Sequence, residues 1–178
     1  MLAMLPPSSG RIKEEMEYNG PENAFDKGVI SNNATYVREE LSKNKINLLS
    51  PNSIGFLLIH LAYMMGAPDV LTILIEAEPT SMSCIVPKSK ITALHLAAEQ
   101  GCRNCVIVLL NAGCLDTVVD CNGCLAFGLA GYAGNFEIMQ FLYMAYKGTD
   151  KEVLAYMDKK DNMGATGLYG FLQSTTIY

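Results

Sequence analysis

The sequence predicts an all-α solenoid of about four to five stacked helix–turn–helix units joined by extended segments, with degenerate units at both ends. Three observations predict this fold. The chain resembles itself at a spacing of 33 to 35 residues, apolar residues recur at helical spacing within each unit, and glycine recurs where one helix must end and the next begin.

The internal similarity is clearest in three segments. Residues 90–113 align with residues 123–145 at an offset of 33 and with residues 55–77 at an offset of 35. Glycine stands at the same place in all three segments, at Gly66, Gly101 and Gly134. A partial fourth copy begins at Asp161. Repetition at this spacing is typical of solenoid proteins.

The unit that begins near residue 90 shows what each copy should form. Leu94, Ala97 and Ala98 lie at i, i+3 and i+4, which places them on one face of a first helix. Gly101 can end that helix in a left-handed conformation at no Cβ cost. A second helix follows at residues 104–111. Because neither helix encloses a core alone, neighbouring units must stack to bury these faces.

The repeated residues resemble the ankyrin repeat. Thr92-Ala93-Leu94-His95-Leu96-Ala97 is similar to the family's Thr-Pro-Leu-His-x-Ala signature, and Asp120-Cys121-Asn122-Gly123 resembles its Asp-x-x-Gly hairpin. The resemblance implies a domain at 21–178, with repeats at about 24–50, 52–86, 87–119 and 120–160 and a partial repeat at 161–178.

The chain departs from the family pattern in two ways that matter here. The signature proline is absent from every copy, and its place is taken by Leu58, Ala93, Ala126 and Gly167. The first helix near residues 125–134 contains Gly128 and Gly131, each costing about 1 kcal/mol against alanine, which predicts a locally weak repeat. Near residues 146–157 an insertion of about eight residues should lengthen a helix or add a turn.

Composition limits the classes of partner. Half of the residues are hydrophobic, 17% are charged and the net charge is −5, so a nucleic-acid backbone is not expected as a partner. The longest apolar run, near 54–67, is too short to span a bilayer. We therefore expect an intracellular monomer, cytoplasmic or nuclear, with reduced cysteines and a disordered tail at residues 1–20.

Four of the six cysteines are spaced like the ligands of a zinc ribbon. Cys102/Cys105 and Cys121/Cys124 form two Cys-x-x-Cys pairs with fifteen residues between them. In the repeat, however, a second helix of about eight residues, roughly 12 Å long, separates the two pairs. We therefore expect no shared metal and no cofactor. A thiol-based redox or zinc sensor, including a Cys121–Cys124 disulfide, stays open as an alternative function.

Little in the sequence indicates catalysis. The two histidines, His60 and His95, both occupy the signature position, where the resemblance implies hydrogen bonding to loop backbone rather than proton transfer. Phosphate-binding, metalloprotease and serine-hydrolase motifs are absent from the sequence. We therefore expect a protein that is not an enzyme.

The resemblance implies a scaffold that binds another protein, since members of the family use the hairpin tips and the two residues before the first-helix glycine for this purpose. The positions carried over onto this chain are Phe56, Met64, Met65, Lys88, Ile91, Glu99, Gln100, Asn122, Tyr132 and Met163. The wider set adds Ser53, Ile54, Ser89, Cys121, Cys124, Ala133, Asn162 and Ala165.

Six of these positions are apolar where the fold should leave them exposed, namely Phe56, Met64, Met65, Ile91, Tyr132 and Met163. An exposed apolar track of this kind favours an apolar or amphipathic segment of the partner protein. A second alternative is that the chain is the targeting module of a larger protein.

Overall fold

The computed structural model describes residues 24–52, 55–114 and 116–175. The tail predicted at 1–20, and Ser53 and Ile54, lie outside the described residues. The α-helices that it contains are α1 Ala24–Ile30, α2 Ala34–Lys43, α3 Leu58–Met64, α4 Pro68–Ala77, α5 Ala93–Gln100, α6 Arg103–Asn111, α7 Ala126–Tyr132, α8 Phe136–Ala145, α9 Asp150–Met157 and α10 Gly167–Thr175. A 3-10 helix, Pro79–Ser83, follows α4.

The helices form two layers. The first helices α1, α3, α5, α7 and α10 contact one another in that order, and the second helices α2, α4, α6 and α8 do the same. Between the pairs, extended chain makes isolated bridges, Ile85 with Thr92 and Lys160 with Thr166, and the described residues contain no longer strand. The predicted all-α solenoid is confirmed.

Helix α5 lies at the centre of the stack, and its sequence sets both of its ends. Thr92 and His95 form a capping box at its start. At its end Gly101 has φ 74°, in the left-handed region, and donates its N–H to the carbonyl of Ala97. All residues from 93 to 98 are buried, because α5 has a first helix on each side and α6 behind it.

Helices α7 and α10 approach each other closely, and glycines make this possible. A methyl group on Gly131 would overlap the carbonyl oxygen of Gly167, and one on Gly167 would lie 2.9 Å from Cα of Gly128. Gly131 and Gly167 therefore have a packing reason, since a side chain at either position would hold α10 away from α7.

The insertion forms a separate helix instead of lengthening α8. Helix α8 ends at Ala145, and the chain then turns extended at Tyr146. Helix α9 begins after Thr149, whose hydroxyl and backbone N–H both donate to Glu152 in a capping box. A capping box of this type supplies partners for the otherwise unsatisfied amides of the first turn.

We predict opposite effects of alanine at the two glycines of α7. Gly131→Ala should lower the free energy of unfolding by about 1–3 kcal/mol, because the new methyl group forces α10 away. Gly128→Ala is the matched control: its methyl group would meet only Cβ of Cys124, at 3.9 Å. The control should be neutral or stabilising by up to about 1 kcal/mol. Urea unfolding followed by circular dichroism measures both, and equal effects would contradict the packing role.

Candidate protein-binding surface

The hairpin tips are joined into a row by backbone hydrogen bonds. The N–H of Cys121 donates to the carbonyl of Ser89 at 2.8 Å, and the N–H of Asn162 donates to the carbonyl of Asn122 at 2.8 Å. The side-chain amide of Asn162 also donates to the carbonyl of Cys121, at 3.1 Å. The tips near residues 89, 122 and 162 therefore hold fixed positions relative to one another.

Two aspartates shape the last two tips in the same way. Oδ1 of Asp120 accepts hydrogen bonds from the N–H groups of Asn122 and Cys124, at 2.9 and 2.8 Å. Oδ1 of Asp161 accepts from Met163 and Ala165, both at 2.9 Å. A carboxylate that bonds backbone amides two and four residues on stabilises a tight turn. Each of the two segments therefore forms a tight turn that its aspartate closes.

Both histidines bond to loop backbone, as the resemblance implied. Nδ1 of His95 accepts from the N–H of Thr92 at 3.2 Å, so its proton lies on Nε2, which donates to the carbonyl of Cys124 at 3.1 Å. His60 makes the equivalent bonds to Leu57 and Cys84. Burial lowers the pKa of His60 to about 4, which keeps the ring neutral at pH 7.

Eight of the ten predicted partner-binding residues are exposed or half-buried. Met65, Lys88, Gln100 and Met163 are exposed, whereas Met64, Glu99, Asn122 and Tyr132 are half-buried. Met65 and Gln100 lie at the C-terminal ends of α3 and α5, and Lys88 and Met163 lie on hairpins. We use the name tip face for the candidate set Met65, Lys88, Gln100, Asn122 and Met163, which come from successive repeats.

The expected exposure of Phe56 and Ile91 is wrong, since each is only 5% exposed. Both residues lie in the chain that leads from a hairpin tip into the next first helix, and both belong to the core. The ring of Phe56 packs edge-on against His60, with ring centroids 5.9 Å apart. The apolar track predicted from the sequence is therefore shorter than expected and lacks these two members.

Tyr132 has a structural role besides its position at the end of α7. Its hydroxyl donates to Oδ2 of Asp161 at 2.5 Å, and its ring lies against Gly170 of α10. Burial, together with this hydrogen bond and the Asp161 charge, raises the pKa of Tyr132. A substitution at Tyr132 would therefore disturb the hairpin and α10 as well as the surface.

The expectation of six reduced cysteines is wrong for one pair. Cys102 and Cys105 form a disulfide, with their Cα atoms 5.3 Å apart, inside the usual range. Cys102 precedes α6 and Cys105 lies in its first turn, a spacing that brings two side chains together.

The second Cys-x-x-Cys pair stays unbonded. Cys121 is an exposed free thiol and Cys124 a buried one. Burial and the nearby carboxylates Asp120 and Asp161 raise the pKa of Cys124, which disfavours the reactive thiolate there. Within the described ranges, no group of three or more His, Cys, Asp or Glu side chains could hold a metal ion.

A buried aspartate positions α7, the helix that carries Tyr132. Leu125, before α7, has no side-chain oxygen to accept the first amides of the helix. Asp116 replaces it: Oδ1 accepts from the N–H of Ala126 at 2.9 Å, and Oδ2 accepts from the N–H of Phe127 at 2.6 Å. Asp116 thus does from the preceding loop what a threonine does at the start of α5.

The same carboxylate holds the inserted helix. The hydroxyl of Tyr156 in α9 donates to Oδ2 of Asp116 at 2.9 Å, and its ring packs against Phe127 and stacks on Tyr146. Burial raises the pKa of Asp116, while its hydrogen bonds act in the opposite direction. The sequence analysis missed Asp116 and Tyr156, because they lie forty residues apart.

We predict that Tyr156→Phe lowers the free energy of unfolding by about 1–3 kcal/mol, because it removes one donor from a buried carboxylate. Losing that donor raises the folded-state pKa of Asp116 further above its unfolded value of about 3.9. A raised folded-state pKa contributes stability at low pH that is lost as pH rises. The loss of unfolding free energy caused by Tyr156→Phe should therefore be larger at about pH 7 than at about pH 4.

The matched control for this measurement is Tyr146→Phe, which removes a hydroxyl from the neighbouring stacked ring. Its effect should stay within about 0.5 kcal/mol at both pH values. Urea unfolding of the two variants at the two pH values gives the comparison. If the loss of unfolding free energy in Tyr156→Phe did not depend on pH, the hydroxyl of Tyr156 would not be stabilising the carboxylate of Asp116.

The sequence analysis also missed a set of exposed apolar side chains at the C-terminal end of the stack. They are Phe136, Tyr143 and Met144 of α8, Leu154 of α9, and Leu168, Tyr169 and Leu172 of α10. Their periodicity resembles that of the buried helices, so the sequence pattern alone does not distinguish them.

Comparisons with known proteins agree with this architecture. The family model described as "Ankyrin repeats (3 copies)" matches residues 58–155, more than half of the chain. No curated protein matches the sequence. Across the part of the chain that the structure describes, no helix is both long and apolar enough to cross a membrane. With its stacked helix pairs, aspartate-closed hairpins and histidine bridges, the chain belongs to the ankyrin-repeat family.

Proposed function

We propose that this protein is a non-catalytic scaffold that binds another protein through its tip face. The observation that carries the proposal is the rigid row of hairpin tips, which displays exposed side chains from successive repeats in a fixed arrangement. Proteins of the ankyrin-repeat family generally mediate protein–protein interaction, and stacked repeats provide extended surfaces for this purpose.

The chemistry of the tip face favours a partner segment that is apolar or amphipathic. Met65 is 42% exposed and Met163 is 56% exposed. Methionine side chains adapt to partners of varied shape and are enriched at binding surfaces. Lys88 and Gln100 are exposed polar members of the same candidate set, so an amphipathic segment could satisfy both kinds of contact.

The hydrogen bonds of the two histidine rings fit a non-catalytic role. Both imidazole rings are occupied by backbone hydrogen bonds on their two nitrogens. A general base must reach a substrate proton, and neither ring has a free nitrogen with which to do so. The binding proposal therefore accounts for the described surface without any reaction.

We predict that Met65→Asp and Met163→Asp each reduce capture of the partner at least tenfold, because a charge replaces an apolar contact at the interface. Immobilised wild-type protein and each variant are compared for the proteins retained from cell lysate, identified by mass spectrometry. Affinity is then measured with the purified partner. Both side chains are exposed, so the melting temperature should not change.

The control is Leu154→Asp, which places the same charge on an exposed apolar position of α9, outside the tip face. It should retain the partner at the wild-type level. Loss of the partner in the control, with full retention in both methionine variants, would move the binding surface to the inserted helix. Tyr132 is not a suitable position for this test, because its hydrogen bond to Asp161 supports the fold.

A further inference from the structure

We propose that the Cys102–Cys105 disulfide is a reversible thiol–disulfide exchange site. A small thiol of the glutathione type attacks Cys102, and the protein stays folded in both redox states. Two observations carry the proposal: neighbouring repeats form the same turn without a disulfide, and the two bonded cysteines differ in accessibility. The chemistry of this site does not depend on partner binding at the tip face.

Other second helices begin with residues that cannot form a disulfide. At the offset of 35 residues, Ala67 and Val70 occupy the places of Cys102 and Cys105 at the start of α4. At the offset of 33 residues, Ile138 of α8 occupies the place of Cys105. Val70, Cys105 and Ile138 are each at most 2% exposed. Because a reduced cysteine is itself a small apolar group, the Cys105 thiol can fill this buried place without the bond.

The bond closes a very short loop, because the two cysteines are only three residues apart in sequence. A disulfide stabilises a protein mainly by restricting the unfolded chain, and in this view the stabilisation is smallest for short loops. Disulfides that are exposed tend to be labile or regulatory rather than structural. Breaking the Cys102–Cys105 bond should therefore leave the fold intact.

The two cysteines are not equally accessible. Cys105 belongs to the core and is 0% exposed, whereas Cys102, which precedes α6, is partly exposed. In the folded protein an attacking thiolate can therefore approach Cys102 but not Cys105. A thiolate at Cys102 would also lie beside the first amides of α6, which stabilise negative charge.

Reduction of the bond takes two steps. The thiolate of one small thiol attacks Sγ of Cys102 and forms a mixed disulfide, while the Cys102–Cys105 bond breaks and its electron pair goes to Sγ of Cys105, which takes up a proton. A second thiolate then attacks the sulfur of the bound small thiol and releases Cys102, whose sulfur takes up a proton. Two small thiols are thus oxidised to one small-molecule disulfide, the protein disulfide is reduced to two thiols, and oxidation reverses these steps.

Hydrogen bonds hold the turn between α5 and α6 independently of the disulfide. The N–H of Cys102 donates to the carbonyl of Ala97 at 3.0 Å. From the next repeat, the side-chain amide of Asn135 donates to the carbonyls of Ala98 and Glu99, at 2.9 and 3.1 Å. None of these bonds involves a sulfur atom, so the turn should keep its place when the disulfide opens.

Two matched variants test which cysteine reacts. Cys105→Val and Cys102→Ala each leave one thiol of the pair, and each introduces the residue that α4 has at that place, Val70 or Ala67. Both variants should therefore fold, which circular dichroism checks. Each is treated with oxidised glutathione, and mass spectrometry of the peptides separates the pair from the exposed Cys121. Cys102 in the first variant should form the mixed disulfide faster than Cys105 in the second, by about tenfold or more.

The wild-type chain gives a measurement that does not depend on the folding of a variant. It is equilibrated with mixtures of reduced and oxidised glutathione, free thiols are alkylated, and the reduced fraction of the Cys102–Cys105 pair is read by mass spectrometry. This fraction should change reversibly while the circular dichroism stays that of the folded protein. A bond that glutathione cannot reduce without unfolding would overturn the proposal. So would a pair that stays reduced in oxidised glutathione, or equal reaction rates in the two variants.

Discussion

The structure depends on one constraint: no helix pair in this chain can bury its apolar face by itself. Helix α5 shows the consequence most clearly, because it is buried only where α3, α6 and α7 surround it. Ala62, Ala97 and Ala130 are fully buried in the first helices, and their small side chains let these helices approach closely. The stability of each repeat is therefore shared with its neighbours.

The same constraint explains the unusual features of the repeat at residues 120–160. Its first helix has no capping side chain of its own and is rich in glycine, yet Asp116 caps it from the preceding loop and α10 packs against its glycines. The inserted helix α9 is held by the same carboxylate through Tyr156. Contacts between elements thus supply the helix cap and the packing that the local sequence of this repeat lacks.

Features set by nearby residues were predictable from the sequence. The bonds of His95 to Thr92 and the turns closed by Asp120 and Asp161 follow from spacings of two to four residues. The burial of Phe56 and Ile91 was not predictable in this way, because it depends on the angle at which the hairpin enters the next helix. The hydrogen bond from Tyr156 to Asp116 was not predictable either, because it joins distant parts of the chain.

Hydrogen exchange of the backbone amides, followed residue by residue, tests the stacking account most directly. Amides that open only with the whole stack exchange slowest, whereas those held by few buried contacts exchange by local opening. The account predicts the slowest exchange in α5, comparable protection in α7 through its contact with α10, and fast exchange in α2 and α9. Exchange in α5 as fast as in α9 would contradict the account, because the neighbouring helices would then not stabilise α5.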